Sequence, residues 1–220
     1  VSANTDAGFS IVSYTGTGSA ATVGHGLSSA PDMVIVKNRD DGAESWVVSV
    51  GNATGTASEY LVLNSDIASQ TDTSQFPSAP SSTVVSIGAT ANVNVNTEDF
   101  IAYCFHSVDG YSKVGSFVGN GSTTDGPFIF TNFRPAFFLW KNTEYTGTDW
   151  GIIDNQREGY NVDNYQLYAS TSAAEYTNDV ADFVSNGVKI RTDLGNINAP
   201  NDVILFMAFA ESPFKTSNAR

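Results

Sequence analysis

The sequence predicts an all-β protein made of two tandem β-sandwich units of jelly-roll-like type, related by internal duplication. Three observations predict it. Short apolar runs rich in β-branched and aromatic residues recur along all 220 residues, separated by Gly, Ser, Thr and Asn in turn-like clusters. Apolar patterns at helical spacing are scarce. The second half also repeats the first: Pro31-Asp32-Met33-Val34-Ile35-Val36-Lys37-Asn38 returns 104 residues later as Pro135-Ala136-Phe137-Phe138-Leu139-Trp140-Lys141-Asn142.

The first unit, residues 1–108, opens with the strand Phe9–Tyr14. Next comes Met33–Lys37, apolar on both faces and so expected to be central. The turn signal Arg39-Asp40-Asp41-Gly42 leads into Ser45–Val50. Tyr60–Leu63 and Thr83–Ile87 are further short strands, and Ser69–Ser82 between them, with Pro77 and Pro80, reads as a surface loop. Phe100–His106 closes the unit. In the second unit, residues 109–220, the series is Lys113–Val118, Phe128–Phe130, Ala136–Lys141, Asp149–Asp154, Tyr165–Tyr168, Gly187–Arg191 and Val203–Ala210. Around Ser65–Ser69 and Thr171–Asp182 a short helix and a loop stand as equal alternatives.

Further ordered matches support the duplication. Gly8-Phe9-Ser10 answers Gly110-Tyr111-Ser112, and Gly16-Thr17-Gly18-Ser19 answers Gly119-Asn120-Gly121-Ser122. Tyr60 answers Tyr165, Asn94-Val95-Asn96 answers Asn196-Ile197-Asn198, and Phe105 answers Phe209. Trp46 and Trp150 occupy equivalent positions, which reads as one core anchor per unit.

Composition narrows the function. With 10 Lys+Arg against 23 Asp+Glu the net charge is −13, and no basic cluster exists to displace counterions, so nucleic acid is excluded as a partner. The longest apolar run, Val203–Ala210, falls far short of a membrane-spanning helix, so no membrane insertion is expected. A single cysteine, Cys104, rules out an internal disulfide. His25 and His106 lie in no metal-ligand spacing, so no metal and no cofactor is expected. Cys104 and His106 are two apart, which puts a thiol and a base on one face of a strand, but Ala208 and Ala210 at the matching positions lack both groups. Gly16-Thr17-Gly18-Ser19 has neither the Lys nor the helix of a phosphate loop. The acidic residues Asp40, Asp41, Glu98, Asp99, Asp154 and Asp163 read as solvated turn residues rather than as a glycosidase pair. No catalytic residue is expected.

The strings Gly8–Ser19, Val23-Gly24-His25-Gly26-Leu27 and Ala30–Arg39, with Gly126-Pro127-Phe128, Phe133–Phe137 and Ala208–Lys215 in the second half, resemble a repeated domain of unknown function in bacteriophage virion proteins. It is found especially in tail-fibre-like proteins of marine phages such as those of cyanobacteria. The resemblance implies a virion location and a structural role, as the C-terminal part of a tail fibre or related appendage in host attachment. Alternatives are a capsid decoration protein and a lectin-like module. Expected partners are other virion proteins, further copies of the chain and a host surface glycan. For a glycan, exposed aromatics with polar neighbours are needed, and Tyr145, Tyr160 and Tyr165 in turn-rich stretches are the candidates. For an interface, the charge-poor segment 126–138 offers Phe130, Phe133 and Arg134.

Overall fold

The computed structural model describes residues 1–157, 161 and 163–213, with 163 and 164 described by backbone alone. The candidate Tyr160 lies outside the described residues. In chain order the elements are β1 (Ser2–Asn4), β2 (Phe9–Thr15), β3 (Ala21–Gly24), β4 (Met33–Asn38), β5 (Val47–Ser49), α1 (Gly51–Thr54), β6 (Glu59–Val62), β7 (Gln70–Thr71), β8 (Val84–Ile87) and β9 (Asp99–Phe105). Then follow β10 (Ser112–Val118), β11 (Phe128–Phe130), β12 (Pro135–Asn142), β13 (Gly151–Asp154), β14 (Asp163–Tyr168), β15 (Tyr176–Val184), β16 (Gly187–Ile190), α2 (Gly195–Asn198) and β17 (Val203–Ala210). The fold is all-β, as the strand patterning predicts.

Two compact units form, one of Val1–Asn64 with Ser69–Ser107, the other of Ser65–Ala68 with the chain from Val108 onward. In the first, a seven-stranded sheet runs β1-β2-β9-β4-β5-β6-β7, and β3 pairs with β8 in a separate two-stranded sheet. In the second, one eight-stranded sheet runs β10-β17-β12-β13-β14-β15-β16-β11. All these pairings are antiparallel. Setting β1 aside, the strand order is the same in both units. β15 makes the difference: its start pairs with β14 and its end with β16, so it joins two ladders that the two-residue β7 leaves apart. Segment 171–182, for which a helix and a loop stand open, is thus largely strand. Thr177, Val180 and Val184 are β-branched, and Val180, Ala181 and Phe183 are buried, which favours the extended form. Ser65–Ser69 forms no helix. Among the described residues no helix is long and apolar enough to cross a membrane.

The strand registers correct part of the duplication. Phe9 lies opposite Phe105 and Ser112 opposite Phe209, so β2 and β10 correspond at an offset of 103 and Gly8-Phe9-Ser10 answers Tyr111-Ser112-Lys113. The match to Gly110-Tyr111-Ser112 is one residue out. Likewise Asn94 answers Asn198, because each clamps the Gly-x-Gly-Ser turn of its unit. Asn94 Oδ1 accepts the Thr17 N–H at 2.7 Å and its Nδ2 donates to Ser19 O and Gly88 O. Asn198 Oδ1 accepts the Asn120 N–H at 2.8 Å and its Nδ2 donates to Ser122 O and Thr192 O. Both asparagines are fully buried, where an amide must be paired to be tolerated. Gly16 and Gly119 are required there: an added Cβ would lie 1.9 Å from Val95 O and 2.1 Å from Ala199 O.

With the register set, one row of the core shows how the copies diverged. Across β2, β9, β4 and β5 the row is Val12-Ala102-Val36-Val47; across β10, β17, β12 and β13 it is Gly115-Phe206-Trp140-Gly151. Two large rings replace Ala and Val, and the flanking valines have become glycines. The Trp140 indole occupies the room a side chain at Gly151 would need, since a Cβ there would meet Trp140 Cζ2 at 2.2 Å. Phe206 stacks on Phe138, and around them Ile153, Val180, Phe183, Ile190 and Ile204 complete the core of the second unit.

The tryptophan anchors divide. Trp150 is buried, whereas Trp46 is half-exposed and stacks on Tyr103 with ring centroids 6.4 Å apart, so it is not a core anchor. Both follow the same main-chain pattern, Leu63 N–H to Trp46 O and Ala169 N–H to Trp150 O. The position is equivalent and the burial is not.

Candidate functional site

The second unit holds a cleft of about 460 Å³ at the end of its sheet where β12 leaves and β13 enters. Asn142, fully buried at the end of β12, builds it. Its Oδ1 accepts the N–H of Glu144 at 2.9 Å and of Tyr145 at 3.2 Å, which fixes the β12–β13 loop. Its Nδ2 donates to Gly195 O at 2.7 Å and to Asp202 Oδ2 at 2.8 Å, which ties in α2 and the entry to β17. One amide therefore holds three walls, represented by Tyr145, Gly195 and Asp202, all of which line the cleft. Asn38 does the same in the first unit, accepting from Asp40 and Asp41 and donating to Ala91 O and Glu98 Oε2.

Beneath the loop lies Lys141, fully buried, its Nζ donating to Asn142 O at 2.8 Å and Thr148 Oγ1 at 2.9 Å. Burial pulls its pKa down to about 8, against the opposing pull of Asp66 and Asp149. Thr148 Oγ1 donates in turn to Tyr145 O at 2.9 Å.

The floor comes from β14 and β15. Gln166 and Tyr168 are two apart on β14 and share a face. Tyr176 on β15 lies opposite Gln166. Gln166 is 0% exposed, yet neither its Nε2 nor its Oε1 has a partner among the described residues. Such an amide carries the full desolvation cost of its unpaired atoms. Asn196 Oδ1 on the opposite wall is buried and unpaired as well. In the first unit the same pair is exchanged, Tyr60 facing Gln70, and there Tyr60 Oη donates to Gln70 Oε1 at 2.7 Å. The register therefore matches Tyr60 with Gln166, not with Tyr165. Burial raises the Tyr168 pKa, with Asp149 and Tyr176 adding to it, so its hydroxyl stays a donor.

Of the sequence candidates for ligand contact, Tyr145 lines the cleft at 65% exposure. Tyr165, adjacent to Gln166 in the strand, is absent from the lining. Tyr168, Tyr176, Gln166 and Asn196 are lining residues that sequence reasoning missed. For Gln166 the available signal was an uncharged amide inside a predicted strand.

The interface candidates also divide. Phe130 is 58% exposed, whereas Phe133 is 8% exposed and belongs to the core, so it offers no surface. Arg134 pairs with Glu211 at 3.2 Å. Of the acidic residues, Asp40 Oδ2 accepts from Asp99 N–H, Asp99 Oδ1 accepts from Thr15 Oγ1, and Asp154 pairs with Arg157, while the Asp163 side chain lies outside the described residues. Burial pushes the Cys104 thiol up to about 11, away from nucleophilic thiolate. His25 is fully buried between Ser81 O and Leu27 N–H. Among the described residues no group of three or more His, Cys, Asp or Glu could hold a metal ion.

A smaller cleft of about 370 Å³ in the first unit is lined by Val12, Tyr14, Val23 and Ile87. Its amide, Asn94, is fully engaged by the turn it clamps.

Comparison with solved structures gives a match to the "Crystal Structure of the STIV MCP", at 10% identity over 96% of this chain and 99% of that one, with a TM-score of 0.24. Nothing about function follows from so slight a likeness. No curated protein matches the chain. A family model described as a domain of unknown function (DUF7483) matches residues 1–213, and the chain belongs to that family.

Proposed function

We propose that this chain is a non-enzymatic structural module of a bacteriophage virion, part of a tail fibre or related appendage that takes part in host attachment. The observation that carries the reading is how its polar side chains are used. In both units buried asparagines, Asn38 and Asn94 in one and Asn142 and Asn198 in the other, are engaged by loop backbone, with the Glu98 and Asp202 carboxylates taking one donor each from Asn38 and Asn142, so the loops are held from within. This is the economy of a scaffold that presents a surface rather than of a reaction centre. Its partners in this reading are other virion proteins and further copies of the chain, with Phe130 in the contact. The resemblance to phage appendage proteins supplies the biological setting.

Gold-labelled antibody against this chain, applied to intact particles of the phage that encodes it, tests the reading. Label on the tail or its fibres is expected. Label on the head shell alone would make the chain a capsid decoration protein, and unlabelled particles would refute a virion role. No reducing sugar should be released when the purified chain is incubated with host surface polysaccharide.

A further inference from the structure

We propose that the cleft in the second unit is a binding site for a neutral saccharide, with Gln166, Tyr168 and Tyr176 in its floor and Tyr145 in a wall. The proposal goes beyond the virion reading and stands or falls independently of where on a particle the chain is mounted.

Gln166 presents two N–H donors and a carbonyl acceptor, all buried and none satisfied among the described residues, and it lines the cleft. Asn196 adds a second unpaired acceptor from the facing wall. A ligand that satisfies these groups must both donate and accept within one small body, as adjacent hydroxyls on a sugar ring do. Its apolar faces need matching surface, which Leu194, Ala199 and the tyrosine rings provide, Tyr145 being 65% and Tyr176 50% exposed. The volume falls in the range of small-molecule sites.

Charge selects the class further. Asp202 is the one charged residue among the described lining, and no Lys or Arg reaches the surface of the cleft. Acidic sugars and phosphate esters would meet a carboxylate with no cation to pair them. A quaternary ammonium would suit the tyrosine rings and Asp202, but it has neither donor nor acceptor for Gln166 and Asn196. A neutral saccharide meets every group.

The exchange of Tyr60/Gln70 for Gln166/Tyr176 supplies an independent argument. At the equivalent pair of the first unit the amide, Gln70, is exposed and its carbonyl accepts from Tyr60 Oη. The second has carried the amide to the buried strand position and turned the tyrosine outward. That arrangement costs stability and is explained when a ligand completes it.

The test uses the whole chain, uniformly labelled with nitrogen-15. Glucose, galactose and N-acetylglucosamine are each titrated to about 100 mM, a hundredfold above a millimolar Kd, while the Gln166 side-chain amide signals are followed, assigned by their loss in Gln166→Leu. At least one sugar should shift these signals saturably, and Tyr176→Ala should weaken that binding about tenfold. Gln166→Leu should abolish binding and melt at a higher temperature than the parent, a combination that a purely structural glutamine would not give. Silence with all three sugars overturns the proposal. So does a response confined to tetramethylammonium or to N-acetylneuraminic acid, or a Gln166→Leu variant that binds undiminished.

Discussion

Lys141 and Lys37 stand at the same position of the two copies, and their difference is a matter of surroundings. Lys37 is half-buried and donates to the carbonyls of Asp41 and Glu44. Lys141 is fully buried, and removal from water holds its pKa at about 8 against an ordinary 10.5. A base whose folded pKa lies below its unfolded value binds fewer protons in the folded state between those limits. Stability due to this group therefore rises with pH from about 8 and levels off near 10.5. Cys104 works in the opposite sense from pH 9 upward, because its thiol is held protonated in the fold. The expected outcome isolates the lysine: Lys141→Met is more stable than the parent near neutrality, and its advantage shrinks as pH climbs from 8 to 10.5. Urea denaturation of both proteins across that window checks it. A constant difference would mean that Lys141 keeps its ordinary pKa in the fold and stays charged across that window. Gln166 makes the complementary case for burial without charge. Replacing its two unpaired groups by an isosteric apolar side chain should recover about 1–3 kcal/mol, read from the same denaturation curves.

At the scale of elements, the row Gly115-Phe206-Trp140-Gly151 makes a sharper claim than any single burial value. Gly151→Ala drives a methyl group into Trp140 and should cost about 1–3 kcal/mol as overpacking does. In a Trp140→Val background, which restores the residue of the first unit, the same substitution should cost almost nothing. A double-mutant cycle measures the coupling, and additive losses would show that the two sites repack independently. This row also shows where sequence reading ended. The strands were legible because β-branched and aromatic runs alternate with turn residues, and the duplication because glycine-rich turns repeat. Yet the turn glycines of Gly8-Phe9-Ser10 and Gly110-Tyr111-Ser112 suggested a register one residue out. Backbone pairing sets the register, and the compensating changes of size that would reveal it lie on four separate strands. β15 escaped because Thr171–Glu175 is polar and Ala-containing, while its pairing depends on the buried Val180–Phe183 stretch and on two neighbours distant in sequence. In the cleft, Tyr145 was legible as an exposed aromatic. Gln166 was not, since an amide is orphaned only by what the cross-strand residue fails to offer.

For the molecule as a whole, self-association sets a net charge of −13 against a small apolar surface. β11 ends the eight-stranded sheet, paired on one side with β16, and its outward residues Phe128 and Phe130 are 47% and 58% exposed while Ile129 faces the core. An edge strand with two exposed rings is a template for pairing with another chain unless charge or cover prevents it. Lys189, opposite Phe128 on β16, is neutralised by Asp125 at 2.6 Å and does not protect the edge. Repulsion between whole molecules is then what keeps copies apart, and salt screens it over about 8–10 Å at 0.1–0.15 M. The expected behaviour in sedimentation equilibrium is a weak self-association that strengthens as salt is added. The double variant Phe128→Ser/Phe130→Ser should be monomeric at every ionic strength, whereas Phe133→Ser, altering a core residue, should lower stability instead. A parent chain that is monomeric in high salt, or an association that survives loss of both rings, would remove β11 from the assembly surface and leave the contact to be sought on a different face.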